Sequence, residues 1–319
     1  MALKNFLARV GLLASAKKYF YTINNPLHLL REMAYRAPNP VVKIRQYISP
    51  SSKEMRQAIK EFQREGIVVL ENYLSNERLE EIKRDFDNFV KAAEAAPPGP
   101  MKLTPDGGGG RLHGQVLYPE QGHDVASLTT FSNDPFKHCP GFLELALDEF
   151  ILGVIAGYMG KRFMLQQGTA SRYYPYEKTD FGSWQWHHDS WGRKINVMIL
   201  FTDVTEKDQY MSYMKRSHKI YHSLERTSVN DRFIEKEVMD ICGRPAFNCL
   251  GKAGTIFIFD ANGFHRGNRS LGAVRDSLIN QYTAGRYIWG FDIPERFIHD
   301  LNATQLEFLM RNKNIKITK

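Results

Sequence analysis

The sequence has few cysteines and no long uncharged apolar run. Its three cysteines, Cys139, Cys242 and Cys249, form neither an even set nor a Cys-x-x-Cys spacing. An even number of cysteines is expected of a disulfide-stapled secreted domain, and a Cys-x-x-Cys spacing is expected of a zinc knuckle. Both classes of protein are therefore disfavoured. No stretch reaches the roughly 18 apolar residues that a membrane-spanning helix needs. We therefore expect a protein of the reducing cytoplasm.

The composition is ordinary for a globular protein, with 43% hydrophobic and 24% charged residues in a chain of 319. We expect one catalytic domain over residues 51–319, preceded by a basic helical extension over residues 1–50. The net charge of +8 is concentrated in this extension, because nine Lys/Arg stand against Glu32 and Glu54 in residues 1–54. Such a segment either contacts an anionic membrane surface or an acidic partner, or is a solvated basic face. No motif typical of nucleic-acid recognition is present.

Periodicity changes along the chain from helical to alternating. Residues 52–64 have helical spacing up to Gly66, residues 67–70 are typical of a buried strand, and Ser75 is a candidate N-cap for a second helix. Residues 97–135 lose this order, which predicts either a substrate lid or a disordered insertion. Short strands are expected at residues 163–174, 184–188, 195–202, 210–214, 255–260 and 277–282.

These elements predict a mainly β fold with flanking helices (α+β). The number of short strands favours a double-stranded β-helix, that is, a jelly-roll or cupin-like barrel, over a parallel sheet. A C-terminal helical tail is expected at about residues 293–319.

One segment has the pattern of a metal site. His187 and Asp189 are two residues apart, so on a strand their side chains point to the same side. His265 follows an apolar strand and can supply the second imidazole. Two histidines and one carboxylate on one face of an iron ion leave three positions open for a co-substrate and dioxygen. A His-x-Asp pair alone is a weak signal, and a surface pair is the alternative.

A second feature strengthens this interpretation. Arg275 follows His265 by ten residues, and Ser277 lies on the same predicted strand. A guanidinium and a hydroxyl on one strand can bind the distal carboxylate of 2-oxoglutarate. The His-x-Asp pair, His265 and Arg275 in this order are less expected by chance than the His-x-Asp pair alone.

Several segments resemble the phytanoyl-CoA dioxygenase family of iron(II)/2-oxoglutarate oxygenases, over roughly residues 59–287. They are similar to its opening helix and strand, its Trp-His-x-Asp metal strand, its sheet segment with a Ser-His-Lys turn, and its distal histidine with the co-substrate arginine: residues 62–75, 186–189, 199–219 and 265–275. Two turns depart from the family pattern, with Asp208-Gln209 in place of Asn-Gly and Lys215-Arg216 in place of Pro-Gly. Neither departure touches the metal set.

The resemblance implies that His187, Asp189 and His265 bind iron(II) and that Arg275, helped by Ser277, binds 2-oxoglutarate. It further implies hydroxylation of an unactivated C–H bond of a small or natural-product-like molecule by dioxygen, with release of succinate and CO₂. Three polar residues on one face of the preceding strand either line the co-substrate pocket or satisfy the core: Gln167, Ser171 and Tyr173.

The sequence alone also leaves other functions open. The chain could be an inactive jelly-roll protein that binds a ligand or metal, or a protein that docks through its basic extension. His188 is expected to point away from the metal, and His218 resembles a structural turn. His113 and His123 are either substrate contacts or plain loop residues. The aromatic residues Trp191, Tyr287 and Trp289 suit either a sizeable substrate or ordinary packing.

Overall fold

A computed structural model describes the protein over most of the predicted catalytic domain. The described residues are 52–95, 115–117, 129–132, 135–137, 139–159, 163–173, 175, 184–189, 194–219, 232–268, 272–283, 291–312 and 315–319. The predicted extension at residues 1–50 lies outside them, as do His113, His123, Trp191, Tyr287 and Trp289.

The described elements are mainly short strands with helices between them. The helices are α1 (Lys53–Glu65), α2 (Asn76–Ala95), α3 (Pro140–Ala146), α4 (Glu149–Met159), α5 (Glu235–Cys242) and α6 (Ala303–Met310). The strands are β1 (Ile67–Leu70), β2 (Gln115–Leu117), β3 (Thr129–Ser132), β4 (Met164–Tyr173), β5 (Lys194–Leu200), β6 (Met211–Tyr213), β7 (Phe247–Cys249), β8 (Ile256–Asp260), β9 (His265–Gly267), β10 (Arg275–Thr283), β11 (Phe291–Pro294) and β12 (Ile315–Thr318). None of the described helices is long and apolar enough to cross a membrane.

The bounds of α1 and the start of α2 agree with the sequence prediction. Ser52 caps α1, because its hydroxyl accepts a hydrogen bond from Met55 N at 3.0 Å. Gly66 ends the helix at φ 77°, where a residue without Cβ carries little strain. Ser75 caps α2 by accepting from Arg78 N at 3.3 Å.

Seven strands form the main antiparallel sheet, in the order β1-β8-β5-β10-β4-β3-β2. One face packs on the helices: the hydrophobic cluster on that side combines buried residues of α1 to α4 with Val197, Ile258 and Leu278 of the sheet. The opposite face meets a three-stranded sheet, ordered β7-β6-β9, because Met198 and Phe259 share a cluster with Tyr213 of β6. Two sheets therefore lie face to face, with the helices on one outer side.

This architecture confirms the predicted mainly β class with flanking helices, although the described strands do not close into a barrel. Two details differ from expectation. At residues 184–188, only Trp186 and His187 make strand-like bridges, to Phe233 and His265. The long segment 97–135 contains β2 and β3, which extend the sheet edge; most of its other residues lie outside the described part of the chain.

The end of the chain is less helical than predicted. After α6, residues Ile315–Thr318 form β12, which pairs in parallel with β11. The alternation in Ile-Lys-Ile-Thr is typical of a strand. Its partner lies more than twenty residues earlier in the chain, so the pairing depends on the tertiary fold.

Candidate metal centre and co-substrate site

The two predicted metal-binding segments are joined directly through their backbones. His187 N donates to His265 O at 3.0 Å, and His265 N donates to His187 O at 2.9 Å. His265 begins β9, where it pairs with Tyr213 of β6. The imidazoles therefore project from adjacent backbone segments, with their ring centroids 4.3 Å apart.

Asp189 completes the group. Its backbone N donates to Ala261 O at 2.8 Å, which fixes the residue beside the end of β8. Its Oδ1 lies 3.5 Å from Nε2 of His187 and 3.5 Å from Nε2 of His265. One potential ligand atom from each of the three residues lies within 4.8 Å of the others. Octahedral donors at about 2.1 Å from a metal lie about 3 Å apart, so the three side chains fit one ion.

The histidines are oriented for metal binding by their other nitrogens. Nδ1 of His187 lies 2.8 Å from Gln185 O, and Nδ1 of His265 lies 2.9 Å from Gly263 O. A carbonyl partner places the proton on Nδ1 and leaves the Nε2 lone pair for the metal. Burial, and then the neighbouring His265, lower the pKa of His187. The neutral form that a metal requires is therefore favoured.

Two residues that sequence analysis did not single out contact the carboxylate. Asp189 Oδ2 accepts from Lys194 Nζ at 3.2 Å and from Asn196 Nδ2 at 3.0 Å. Burial opposes ionisation of Asp189, but Lys194 and the two imidazoles together hold its pKa well below the usual range. Lys194 and Asn196 are polar residues in an otherwise apolar strand, β5. This interruption of the apolar pattern is the signal in the sequence that could have identified them.

The predicted co-substrate residues lie on β4 and β10. Arg275 pairs with Tyr173 and Ser277 pairs with Ser171, so all four side chains share the face that carries Met198 and Leu200 of β5. Gln167 shares this face but lies near the other end of β4, opposite Gln281. The structure therefore brings four of the five predicted residues together and separates Gln167 from them.

Arg275 is a buried cation that has no carboxylate partner among the described residues. It is 5% exposed, its Nη1 donates to Gln209 O at 2.5 Å, and its guanidinium lies 4.3 Å from the centre of the Tyr173 ring. Its Nε and the hydroxyl of Ser277 are buried without a hydrogen-bond partner in the described structure. Burial lowers the pKa of Arg275. An anion with several oxygen acceptors, such as the carboxylate of 2-oxoglutarate, would satisfy this group.

The remaining described histidines are not part of the metal group. His188 is buried, with its ring 6.3 Å from that of Phe233, in agreement with the predicted direction away from the metal. His218 belongs to a short 3-10 turn at Ser217–Lys219. Ser217 stabilises this turn, since its hydroxyl donates to Met214 O at 2.6 Å and accepts from Phe264 N at 2.8 Å.

Comparisons with known proteins identify the family and the fold. The phytanoyl-CoA dioxygenase (PhyH) family model matches residues 62–275. The structure of EctD from S. alaskensis with 2-oxoglutarate and 5-hydroxyectoine is 21% identical, with 74% of this chain and 77% of that chain aligned at a TM-score of 0.55. The non-heme alpha ketoglutarate dependent epimerase SnoN from nogalamycin biosynthesis is 14% identical, with 72% and 80% aligned at 0.51. The similarity of fold confirms the predicted jelly-roll class. Among curated proteins, no sequence matches significantly.

Proposed function

Because this chain belongs to the phytanoyl-CoA dioxygenase family of iron(II)- and 2-oxoglutarate-dependent oxygenases, we propose that His187, Asp189 and His265 hold its iron. We further propose that it hydroxylates an unactivated C–H bond of a small molecule. The observation that carries the proposal is the convergence of the three ligand atoms within 4.8 Å. With 2-oxoglutarate and dioxygen, such a centre supplies an oxidant that attacks C–H bonds, and succinate and CO₂ are released.

The chain's own residues have distinct roles in this proposal. The two imidazoles and Asp189 would hold the metal and leave positions on it for 2-oxoglutarate and dioxygen. Arg275 neutralises and orients the distal carboxylate of 2-oxoglutarate, and the Ser277 hydroxyl donates to it. The ring of Tyr173 holds the guanidinium by a cation–π contact. Ser171 lies beside this group, and Gln167 lines the same face further along β4.

A small-molecule substrate is supported by one structural relative. The EctD structure contains 5-hydroxyectoine together with 2-oxoglutarate.

We propose that segment 97–135 covers the pocket as a lid and that residues 51–319 act as one catalytic unit in the cytoplasm. Residues 1–50 would then be an accessory that contacts a membrane surface or an acidic partner. A variant that lacks residues 1–50 should keep its turnover. If turnover is lost in this variant, the extension is part of the catalytic unit.

The first test is anaerobic addition of iron(II) and 2-oxoglutarate to metal-free protein. We expect a weak visible charge-transfer band from the bound chelate. Asp189→Ala should remove the band, and Arg275→Ala should shift its 2-oxoglutarate dependence to a concentration at least about tenfold higher. Circular dichroism checks that each variant is folded.

The same preparation distinguishes catalysis from mere ligand binding. When air is admitted together with a reductant such as ascorbate, an oxygenase consumes 2-oxoglutarate and releases succinate and CO₂, because the reductant supplies the two electrons that a substrate C–H bond would otherwise provide. A jelly-roll binding protein gives the band without succinate. Absence of the band in folded wild-type protein would contradict the proposed function.

A further inference from the structure

The two oxygens of Asp189 have different surroundings. Oδ1 faces Nε2 of both histidines at 3.5 Å. Oδ2 is held on the other side by Lys194 Nζ at 3.2 Å and Asn196 Nδ2 at 3.0 Å. Lys194 and Asn196 are two residues apart on β5, so strand alternation directs both side chains to the inner face of the main sheet. The carboxylate is thus bound from opposite sides by the metal group and by β5.

Lys194 and Asn196 have few other partners. The side chain of Lys194 is only 16% exposed, and Asp189 is the one carboxylate that pairs with it among the described residues. Asn196 is 4% exposed, and its Oδ1 has no hydrogen-bond partner in the described structure. Burying an ammonium group is costly unless an anion compensates it. Asp189 is therefore the group that accounts for the position of Lys194.

We propose that Lys194 and Asn196 are positioning residues that keep Asp189 a one-oxygen ligand. This inference rests on the proposed function. By occupying Oδ2, the two donors prevent the carboxylate from rotating to bind the metal through both oxygens. One oxygen and two imidazoles take three of six octahedral positions. A second carboxylate oxygen would take a fourth, and 2-oxoglutarate with dioxygen would then lack a position.

This role has a specific consequence for binding. Loss of Lys194 removes a positive charge near the metal and frees Oδ2, so the metal itself should bind at least as well. Chelation of 2-oxoglutarate should weaken, because it must displace the second carboxylate oxygen. A residue that merely supports the fold would weaken both interactions together.

The test measures both constants in the intact protein under anaerobic conditions. Iron(II) is titrated alone, and the visible band is then followed against 2-oxoglutarate. For Lys194→Met, which keeps the length of the side chain without its charge, we expect an unchanged or lower Kd for iron(II). The 2-oxoglutarate concentration at half-maximal band should rise about tenfold. Lys194→Arg, which keeps the charge, should restore much of the loss.

Two further variants complete the design. Asn196→Ala removes the other donor and should shift the 2-oxoglutarate dependence in the same direction, which also covers the case that Lys194→Met does not fold. Lys252→Met is the control, because it removes a lysine that pairs at 2.6 Å with Asp203 rather than with the metal group; both constants should stay as in the wild type.

The outcomes separate the two hypotheses. An unchanged 2-oxoglutarate dependence in Lys194→Met and Asn196→Ala would overturn the positioning role, and so would a parallel loss of iron affinity. A wild-type protein that binds iron(II) but gives no band would instead contradict the proposed function.

Discussion

Away from the candidate metal centre, Arg216 adopts a backbone conformation that usually favours glycine. Arg216 has φ 69°, and in the family pattern glycine stands at this turn. Its backbone N donates to Glu65 O at 2.7 Å, and its guanidinium contacts the Glu65 carboxylate through Nε at 3.0 Å and Nη2 at 2.8 Å. The ion pair therefore joins the end of α1 to the turn after β6 and offsets the backbone strain.

This pair should make stability dependent on acidic pH. Hydrogen bonding from Arg216, opposed by burial, lowers the pKa of Glu65 from 4.5 to about 2. A carboxyl group with a lowered folded pKa stabilises the protein above its unfolded pKa, and that stability is lost as pH falls from about 4.5 to about 2. Glu65→Gln should lower the free energy of unfolding by about 1–2 kcal/mol at pH 7, a range that allows for solvent screening at the half-exposed Arg216.

Urea denaturation at pH 7 and pH 3 checks this prediction. The difference between wild type and Glu65→Gln should shrink at the lower pH. Glu61→Gln on the same helix is the control, because Glu61 forms no ion pair with another described residue. A difference that is equal at both pH values would argue against the assigned pKa shift.

At the scale of elements, helix α5 contacts both segments that carry the proposed metal ligands. Glu235, its first residue, accepts a hydrogen bond from Trp186 Nε1 at 2.9 Å and pairs with Arg266 Nη1 at 2.6 Å. Trp186 precedes His187, and Arg266 follows His265. One carboxylate thus connects the neighbours of the two histidines that we propose as metal ligands. Val238 anchors the helix in a cluster with Trp186, Met214, Phe233 and Phe264.

Loss of this connection should weaken the binding of iron(II) at the proposed site. We expect Glu235→Ala to raise the Kd for iron(II) about three- to tenfold, less than loss of a direct contact, because the carboxylate is half exposed. Isothermal titration of metal-free protein measures the effect. Lys236→Ala on the same helix should change nothing, and equal effects of the two variants would show that α5 acts without Glu235.

At the scale of the whole molecule, stability depends on the helical layer that covers the main sheet. Phe201, just after β5, is fully buried, with its ring 5.5 Å from that of Phe86 in α2 and 5.7 Å from that of Phe142 in α3. Three elements that are distant in the sequence therefore meet at one side chain. Its removal would leave a cavity between the sheet and two helices.

Phe201→Ala should lower the free energy of unfolding by about 3–5 kcal/mol, measured by chemical denaturation. Met310→Ala is the control, because Met310 is 63% exposed and should have little effect. A cost below about 1 kcal/mol for Phe201→Ala would mean that the helical layer repacks around the gap or contributes little to stability.

Local physics made much of the fold predictable from the sequence. Ser52 and Gly66 mark the ends of α1 because capping and positive φ depend on individual residues. Period-two alternation placed β4, β5, β6, β8 and β10 to within a few residues, whereas β2, β3 and most of the other short strands were not predicted. The same alternation put His187 and Asp189 on one side of their segment, and the structure brings them together with His265. Roles of these residues in catalysis stay predictions until the binding experiments are done.

The sequence by itself determined the longer strands and the helices α1 and α2, because capping and periodicity depend on neighbours within a few positions. Its family resemblance indicated the fold class and the candidate metal residues. Only the tertiary structure decided which side chains meet across the sheets. It placed Lys194 and Asn196 on Asp189, joined Glu235 to Trp186 and Arg266, and paired β12 with β11 where a helical tail was expected. Such contacts depend on strand register and on packing between distant segments, and a periodic pattern along the chain does not specify either.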